Sequence, residues 1–536
     1  MSEEASRGRA RWVAVARSSR AVRSTLAAGA AVTFAATLVA SASPAFANGG
    51  VSVRANVPVT ATNLIAKTAN NSPSLASDPT DRRFVVIANR IDGPDFSCAL
   101  QASGDGGASW VSPALPKLPE GAEKCYAPEV SFDRRGTLYY LFVGLAGNGN
   151  RPMGVYLTTS SDRARSFTTP RKVLGPERYG VRMALDPTMG PSGRIHLVWV
   201  EVNAEGGAGN GFPTMPNPIM AAYSDDGGRT LSKPHQISDP ERPRVVAPAL
   251  ALGPNHAVHV LYYDIKDDVR DYAGLEGPTW DGTWALVATS SRDGGRSFSP
   301  GTVVESDLVP PERVMLIFTM APPALVADGA GRLYAGWTDA RHGDWDVFVR
   351  PSLDGGRAWQ KARRVNDDPI GDKRNQYMPR LAVSPQGRLD VAFYDRRGNV
   401  ENRGNDVYYA YSADHGNTFA RNVRLSSWDS DSMIGYEYAI PSAAGLVEFG
   451  SRLALLSERS RVLAAWTDTR NNALGPPSQD IWAGEVAFPH ARGIPPLLIV
   501  AAGAFAVIGG AAAVGRRRGA AAALEGLVAP PVAEGE

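Results

Sequence analysis

Three segments of the chain repeat a pattern of aromatic, acidic and basic residues that could bind an anion. The pattern is aromatic-x-Asp-x-Arg, shortened in one copy, and its arginines are Arg341, Arg396 with Arg397, and Arg470. A guanidinium group binds a carboxylate through paired, charged hydrogen bonds, so Arg341, Arg396 and Arg470 are predicted to bind an anionic substrate. The alternative is that each arginine forms an ion pair with the aspartate of its own copy, and the repetition favours this alternative.

A second motif recurs along the chain and indicates the structural unit that carries these residues. It reads Ser-x-Asp-x-Gly-x-(Ser/Thr)-aromatic, with some copies degraded, and its aspartates are Asp105, Asp162, Asp226, Asp293, Asp354 and Asp414. The aspartate and hydroxyl side chains can bond to nearby backbone N–H groups, and the glycine supplies a positive φ. We therefore expect each of these Asp boxes to be a scaffold turn without a catalytic role.

The spacing of the Asp boxes predicts a β-propeller. Successive copies start 57 to 67 residues apart, which suits one four-stranded blade with the box between its third and fourth strands. The loops from the second to the third strand, and from one blade to the next, then share the opposite face. Six boxed units and a last unit, residues 445–486, predict seven blades. An N-terminal strand from Val51–Val59 or Asn63–Lys67 would complete the last blade. Six blades with an appended β segment is the alternative.

The Asp boxes make residues 73–486 similar to the sialidase superfamily, the BNR repeat proteins. Segments such as Tyr377–Arg380 and Phe393–Arg397 resemble bacterial exo-sialidase-like surface proteins. The resemblance implies an all-β propeller with three arginines that bind the substrate carboxylate, a tyrosine nucleophile activated by a glutamate, and an aspartic acid as acid/base catalyst. The predicted function is recognition of extracellular glycans or hydrolysis of terminal sialic acids. A non-catalytic carbohydrate- or protein-binding propeller is the alternative.

Residues that occur in one blade only supply the candidates for these roles. Arg90 resembles the first substrate-binding arginine of the family, although Asp92 stands where the family has proline. Asp92 and Glu201 are candidate catalytic acids, and Tyr436 with Glu437 is the candidate nucleophile pair. Each has a structural interpretation as well, because an aspartate in a Gly/Pro-rich loop often forms a turn and a rim tyrosine often packs or stacks on a sugar.

The sequence indicates no cofactor and no metal site. One acidic loop contains Asp264, Asp267, Asp268 and Asp271. It could hold Ca²⁺, but its irregular spacing favours a solvated charge cluster. The two cysteines, Cys98 and Cys125, fall on the same face of adjacent blades and are predicted to form a disulfide, as is usual in an exported protein.

Both ends of the chain carry membrane-related patterns. Six arginines precede an apolar run and a small-residue cleavage site, so residues 1–47 are predicted to be a signal peptide, with an uncleaved anchor as the alternative. Residues 494–515 are apolar and precede an arginine triplet, which predicts a transmembrane helix followed by a cytoplasmic tail, residues 516–536. The propeller, residues 48–490, is therefore predicted to be extracellular on a single-pass cell-membrane protein.

The composition of the 536 residues argues against a nucleic-acid partner. The 56 Lys and Arg residues are balanced by 54 Asp and Glu residues, whereas a nucleic-acid-binding face would be strongly basic. The 55 glycines and 40 prolines are typical of many short strands joined by tight turns. The predicted partners are an extracellular glycan or surface protein, and the membrane through the C-terminal helix.

Overall fold

A computed structural model of the chain describes residues 50–60, 68–176, 178–190, 193–201, 217–266, 268, 282–310, 322–437, 447–470 and 478–489. Every regular element in these residues is a β-strand. Residues Ser52–Ala487 form one compact unit, and nearly all of the second unit, Met1–Val51 with Phe488–Glu536, lies outside the described residues. The same holds for the predicted signal peptide and transmembrane helix. In the described part, no helix is long and apolar enough to span a membrane.

The strands form seven antiparallel sheets, or blades, that follow one another along the chain. Two short strands come first, β1 (Ser52–Val53) and β2 (Val57–Pro58). Blade 1 contains β3 (Asn70–Ser77), β4 (Val85–Ile91) and β5 (Ser97–Ser103). Blade 2 contains β6 (Lys124–Phe132), β7 (Leu138–Ala146), β8 (Arg151–Ser160) and β9 (Arg171–Leu174). Blade 3 contains β10 (Arg178–Asp186), β11 (Arg194–Glu201), β12 (Ile219–Ser224) and β13 (His235–Gln236).

The remaining blades repeat this order. Blade 4 contains β14 (Val245–Leu252), β15 (Val258–Asp264), β16 (Trp284–Ser291) and β17 (Thr302–Leu308). Blade 5 contains β18 (Ala324–Ala327), β19 (Leu333–Asp339), β20 (Asp346–Ser352) and β21 (Arg363–Arg364). Blade 6 contains β22 (Gln376–Val383), β23 (Leu389–Asp395), β24 (Gly404–Ser412), β25 (Val423–Arg424) and β26 (Ser430–Asp431), and a hairpin of β27 (Tyr436–Glu437) and β28 (Val447–Glu448) follows it. Blade 7 contains β29 (Ala454–Ser457), β30 (Arg461–Asp468) and β31 (Asp480–Ala487).

The first strands of the seven blades surround a common axis. Each inner strand contacts the inner strand of the next blade, and β29 of the last blade contacts β3 of the first. The ring is therefore closed with seven blades, which confirms the favoured prediction and excludes the six-bladed alternative.

The two N-terminal strands complete the last blade. Strand β1 pairs with β31 through Ser52 and Ala487, and β2 pairs with the same strand through Val57 and Ala483. This covers the outer edge of β31, which would otherwise offer unpaired backbone groups to another chain. The prediction that Val51–Val59 supplies the missing strand is confirmed. The other candidate segment, Asn63–Lys67, lies outside the described residues.

The core lies between the blades. Both faces of each sheet are covered by neighbours, so the second strands are almost wholly buried and rich in β-branched and aromatic residues. Trp199, Trp337 and Trp466 occupy corresponding points of β11, β19 and β30 and are fully buried. The blades are thus held together by continuous apolar contact rather than by isolated polar bridges.

The Asp boxes form the turns that connect the third to the fourth strand. In blade 4, Asp293 accepts hydrogen bonds from the backbone N–H groups of Arg296 and Ser297 and from the Ser297 hydroxyl, at 2.9, 3.0 and 2.6 Å. The Ser291 hydroxyl accepts the N–H of Gly295, whose φ is 83°. The box side chains therefore satisfy their own turn, on the face opposite to the loops that join one blade to the next.

A disulfide joins the first two blades. Cys98 lies in β5 and Cys125 in β6, and the structure links them with a Cα–Cα distance of 5.5 Å. The predicted pairing is confirmed. The bond fixes the start of β6, the strand that carries the glutamate at the centre of the site described next.

Candidate functional site

Five inner strands share a β-bulge where they enter the ring. In β3, β6, β10, β14 and β22 the pairing with the second strand shifts register, for example between Tyr377 and Arg380. Each bulge contains one residue of positive φ, namely Ser72, Ala127, Gly180, Ala247 and Met378. A β-bulge re-aims the side chain that follows it. The residues re-aimed here are Ser74, Glu129, Arg182, Ala249 and Arg380.

Glu129 is the centre of a charged cluster contributed by three other blades. Its Oε1 atom accepts hydrogen bonds from Arg182 of blade 3 at 2.8 Å and from Arg452, directly before blade 7, at 2.6 Å. Its Oε2 atom accepts the backbone N–H of Met183 at 3.1 Å. Arg380 of blade 6 interacts electrostatically with Glu129 and Arg182. We call Arg182, Arg380 and Arg452, with Glu129, the axial arginine cluster.

Arg452 reaches the cluster by crossing the seam of the ring. Its guanidinium group donates to the carbonyl oxygens of Ser72 and Pro73 in blade 1, both at 3.2 Å, and to that of Pro128 in blade 2 at 2.8 Å. Only 9% of its side chain is exposed. A planar guanidinium with five fixed donors is suited to this role, because one side chain can bind three backbone carbonyl oxygens and a carboxylate at the same time.

Arg380 is the member of the cluster with unused binding capacity. Its guanidinium forms no hydrogen bond or ion pair with any residue that the structure describes, and the residue is exposed, although the strand residues before and after it are buried. Solvent therefore reaches part of the Arg380 side chain, although the surrounding protein still lowers its pKa by desolvation. An arginine in this state can bind an incoming anion without first giving up a protein partner.

The charges of the cluster do not cancel, since three guanidinium groups face one carboxylate. Burial alone would raise the pKa of Glu129, but the positive charges of Arg452 and Arg182 outweigh burial and hold that pKa below its usual value. Desolvation lowers the pKa of Arg452 to about 10, with Glu129 opposing the change and the other two arginines adding to it. Desolvation also lowers the pKa of Arg380. With three guanidinium groups and one carboxylate, the cluster carries an excess of positive charge and attracts an anion.

The arginines predicted from the aromatic-x-Asp-x-Arg pattern lie elsewhere, at the ends of the second strands. Six blades place an acidic residue there, namely Asp92, Glu201, Asp264, Asp339, Asp395 and Asp468. Their ion-pair partners are Arg90, Arg178, Arg242, Arg341, Arg397 and Arg470. In three blades the carboxylate also accepts the indole N–H of a tryptophan two residues earlier. Each of these arginines has a carboxylate of its own blade as partner.

Two of the predicted substrate-binding arginines are almost completely buried. Arg90 pairs with Asp92 at 2.7 Å, and it also donates to the Tyr126 hydroxyl at 2.6 Å. Arg396, at the end of β23, donates to Asn405 Oδ1 at 2.7 Å and to the Tyr377 hydroxyl at 3.1 Å. The structure brings neither of them to the axial arginine cluster, and their role as substrate ligands stays a prediction.

The predicted catalytic residues are placed as follows. Asp92 is buried against Arg90 and also accepts a hydrogen bond from Asn71 at 2.8 Å. Glu201 is partly exposed and pairs with Arg178 at 2.7 Å. Tyr436 and Glu437 form β27, on the connection that leads into Arg452, and the structure describes their backbone only. Their catalytic roles stay predictions.

The acidic loop of blade 4 is only partly described. Asp264 pairs with Arg242 at 2.5 Å, and Asp268 accepts the indole N–H of Trp284 at 2.9 Å, while Asp267 and Asp271 lie outside the described residues. Within the described ranges, no group of three or more His, Cys, Asp or Glu residues could hold a metal ion.

Glu129, Arg182, Arg380 and Arg452 are not among the residues predicted from the sequence. A weak signal for them exists, because proline directly precedes the re-aimed residue in the bulges of β3, β6, β14 and β22. Aligning the inner strands on that proline would have placed Glu129 and Arg380 in one column. The signal is missing for Arg182, which follows a valine, and for Arg452, which follows a serine.

Comparison with known proteins supports the assignment of the repeat. Residues 219–435 match the family described as BNR repeat-like domain. No curated protein matches the chain. Among solved structures, the chain is similar to a protein of unknown function from Dyadobacter fermentans, with 14% identity, coverage of 82% of this chain and 100% of that chain, and a TM-score of 0.45.

Two further structures carry sialidase names. A Hadza microbial sialidase is 14% identical, with coverage of 76% of this chain and 74% of that one and a TM-score of 0.42. The intramolecular trans-sialidase from Ruminococcus gnavus in complex with oseltamivir carboxylate is 11% identical, with coverage of 65% and 94% and a TM-score of 0.42. The predicted resemblance to BNR repeat proteins is confirmed by the family match, and the described residues form a seven-bladed β-propeller in which residues 219–435 match a BNR repeat-like domain.

Proposed function

We propose that the propeller recognises extracellular glycans by binding the carboxylate of an acidic sugar at the axial arginine cluster. The observation that carries this proposal is the binding of Arg182 and Arg452 to the single carboxylate of Glu129, while Arg380 interacts with that carboxylate electrostatically and forms no hydrogen bond or ion pair among the described residues. The resemblance to sialidases implies three arginines for this purpose. The axial arginine cluster supplies that number from positions other than those predicted from the aromatic-x-Asp-x-Arg pattern.

The proposal can be tested by calorimetric titration of the purified chain with N-acetylneuraminic acid, with glucuronic acid and with neutral galactose. Arg380→Ala is the informative variant, because the Arg380 side chain forms no hydrogen bond or ion pair with a described residue and its loss should leave the fold intact. We expect it to weaken binding of both acids by about 10- to 100-fold, since a hydrogen bond to a charged group contributes roughly 1.5–3 kcal/mol.

Two matched controls separate the axial site from the other arginines. Arg341→Ala removes an arginine that already pairs with Asp339, and Arg421→Ala removes an exposed arginine before β25. Both should bind acids as the wild type does. Unchanged binding in Arg380→Ala, together with weaker binding in Arg341→Ala, would transfer the substrate site to the ends of the second strands.

Hydrolysis of a terminal sialic acid is the enzymatic form of this proposal. Its support is the position of Tyr436 and Glu437, which lie on the connection that ends at Arg452 and have the residue types implied for the nucleophile pair. A fluorogenic sialoside tests it. Tyr436→Phe should abolish release of the fluorophore while acid binding persists, because only the nucleophilic oxygen is removed. Acid binding by the wild type without any turnover would establish a non-catalytic glycan-binding propeller instead.

The location of the protein is proposed from its two ends. Residues 1–47 have the pattern of a signal peptide and residues 494–515 that of a membrane span, so the propeller would lie outside the cell on a single-pass anchor. Protease treatment of intact cells should remove residues 48–490 and leave the arginine-bearing tail protected. A tail that is digested while the propeller is protected would reverse the proposed orientation.

A further inference from the structure

The connections around blade 6 expose an unusual number of apolar side chains. Ile370 lies between blades 5 and 6, and Val400 lies between β23 and β24. Trp428 and Met433 lie on either side of β26, on the connection from β25 to blade 7. All three connections belong to the face opposite to the Asp boxes. Trp428 is 48% exposed, so about half of this side chain is open to solvent.

Polar contacts hold these three connections in one arrangement. Arg374 donates to the carbonyl oxygen of Val400 at 2.7 Å, which ties the first connection to the second. Arg403 forms two hydrogen bonds with Asp431, at 2.7 and 2.5 Å, which tie the second to the third. A surface fixed in this way loses little conformational entropy when a ligand binds.

The segment that carries Trp428 is fixed on both sides. The N–H of Ser427 donates to Asn56 Oδ1 at 2.7 Å, and the N–H of Asp431 donates to Thr469 Oγ1 at 2.8 Å. Strand β26 also pairs with the start of β24. The exposed indole is therefore presented by a braced backbone and not by a free loop.

Asp429 follows Trp428 in the sequence, and most of the hydrogen-bonding capacity of its carboxylate is unused among the described residues. Its carboxylate packs directly on Gly404, where any larger side chain would collide with it. In the part of the chain that the structure describes, its one hydrogen bond is a long contact of 3.5 Å with Asn399. The pair of Trp428 and Asp429 forms what we call the blade-6 platform.

We propose that the blade-6 platform binds a neutral sugar ring of the same glycan whose acidic sugar binds at the axis. The apolar face of a pyranose can stack on the indole while its hydroxyl groups donate to the Asp429 carboxylate. This inference rests on the proposed function. It adds a second point of contact, which would favour oligosaccharides that contain a neutral sugar as well as an acidic one.

The charges around the platform argue for a neutral sugar over other occupants. Acidic residues lie within two positions of each exposed apolar side chain, namely Asp372, Glu401, Asp429 and Asp431. Asp431 is already paired with Arg403. The carboxylates of Asp372, Glu401 and Asp429 form no ion pair among the described residues and would repel an acidic sugar and an anionic membrane surface. They also break up the apolar area, whereas the centre of a protein–protein interface is depleted of charged residues.

The test compares three immobilised or titrated probes with the purified chain: lacto-N-tetraose, its terminally sialylated form, and free N-acetylneuraminic acid. Trp428→Ala should weaken binding of the two oligosaccharides by about tenfold and leave binding of the free acid within a factor of two. Trp428→Phe should restore most of the oligosaccharide affinity, because a smaller aromatic face remains. Leu353→Ala, which truncates an exposed side chain on the Asp-box face, is the matched control.

The outcomes separate this inference from the proposed function. If Trp428→Ala binds both oligosaccharides as tightly as the wild type does, or if the free acid is affected equally, the platform is not a sugar site. If Trp428→Ala loses affinity for a protein ligand and keeps that for all sugars, the surface is a protein interface and the inference is overturned. If instead the free acid never binds while lacto-N-tetraose binds through Trp428, the axial proposal fails and the platform stands.

Discussion

Replacement of Glu129 by glutamine should change stability and anion binding in opposite directions. Glu129 holds Arg182 and Arg452 on one oxygen atom at 2.8 and 2.6 Å, and the side chains of Glu129 and Arg452 are 11% and 9% exposed. Glutamine keeps the shape of the side chain and removes its charge. Three arginines would then share the axis without a counter-ion.

The expected loss of stability can be bounded from these contacts. Breaking a buried ion pair by removing one partner costs about 3–5 kcal/mol. Arg452 keeps its three bonds to backbone carbonyl oxygens, and Arg182 is partly exposed, so the lower end applies. We expect Glu129→Gln to lower the free energy of unfolding by about 3 kcal/mol, measured by urea denaturation.

Anion binding should respond with the opposite sign. Removing one negative charge at about 8 Å from a bound carboxylate, at an effective dielectric constant of about 20, favours binding by about 2 kcal/mol. This corresponds to roughly 30-fold tighter binding of N-acetylneuraminic acid. Glu458→Gln is the matched control: it removes a carboxylate that pairs with Arg461 on the Asp-box face, and it should cost under about 1 kcal/mol and leave binding unchanged.

The reasoning would be refuted by a variant that is both less stable and weaker in acid binding, since that result would mean that Glu129 only maintains the shape of the site. A Glu129→Gln variant as stable as the wild type would show instead that the axial arginines do not depend on this carboxylate.

Four further outcomes follow from the structure. The folded-state pKa of Glu129 is held low, so its stabilising contribution is present above about pH 5 and is lost as the pH falls. Between about pH 5 and 3, the urea midpoint should therefore fall less for Glu129→Gln than for the wild type. In the Asp box of blade 5, Asp354 lacks the hydroxyl partner that Ser297 provides to Asp293 in blade 4. Ala358→Ser should therefore stabilise the chain by about 0.5 kcal/mol in the same assay. No gain would mean that a hydrogen bond from the new hydroxyl to Asp354 is no stronger than its hydrogen bonds to water. Deletion of residues 52–58 should expose the edge of β31 and produce concentration-dependent aggregation on light scattering; a monodisperse variant would contradict the role given to β1 and β2. Replacing Cys98 and Cys125 by alanine should cost about 3 kcal/mol of unfolding free energy, and an unchanged midpoint would remove the disulfide from the stabilising interactions.

The scaffold could be predicted because its signals are local and repeated. Each Asp box closes its own turn through side chains a few residues apart, so one octapeptide such as Ser291–Phe298 already specifies a turn, and the spacing of the copies specifies blades. The disulfide and the N-terminal strand followed from the order of strands in those blades.

The candidate site could not be predicted in the same way, because its residues are distant in sequence and meet only after the ring closes. Arg182 and Arg452 share Glu129 across separations of 53 and 323 residues. The arginines of the strongest functional pattern in the sequence, aromatic-x-Asp-x-Arg, pair with the aspartate of their own copy, as the repetition favoured, and Arg341 and Arg397 pair with a further carboxylate as well. A bulge that re-aims one side chain leaves no mark in a hydrophobic pattern beyond a proline or a residue able to adopt positive φ.

The pairing of β1 with β31 has a consequence for the order in which the protein is made. The first strand of the propeller has its partner at the far end of the unit, since Ser52 lies opposite Ala487. During synthesis, β1 and β2 therefore have no strand to pair with until almost the whole unit has been made, and contacts between distant segments form slowly. The axial arginine cluster is subject to the same delay, because Arg452 directly precedes the last blade. The ligand site and the closed ring thus arise in one late event, and a chain truncated before blade 7 would have neither.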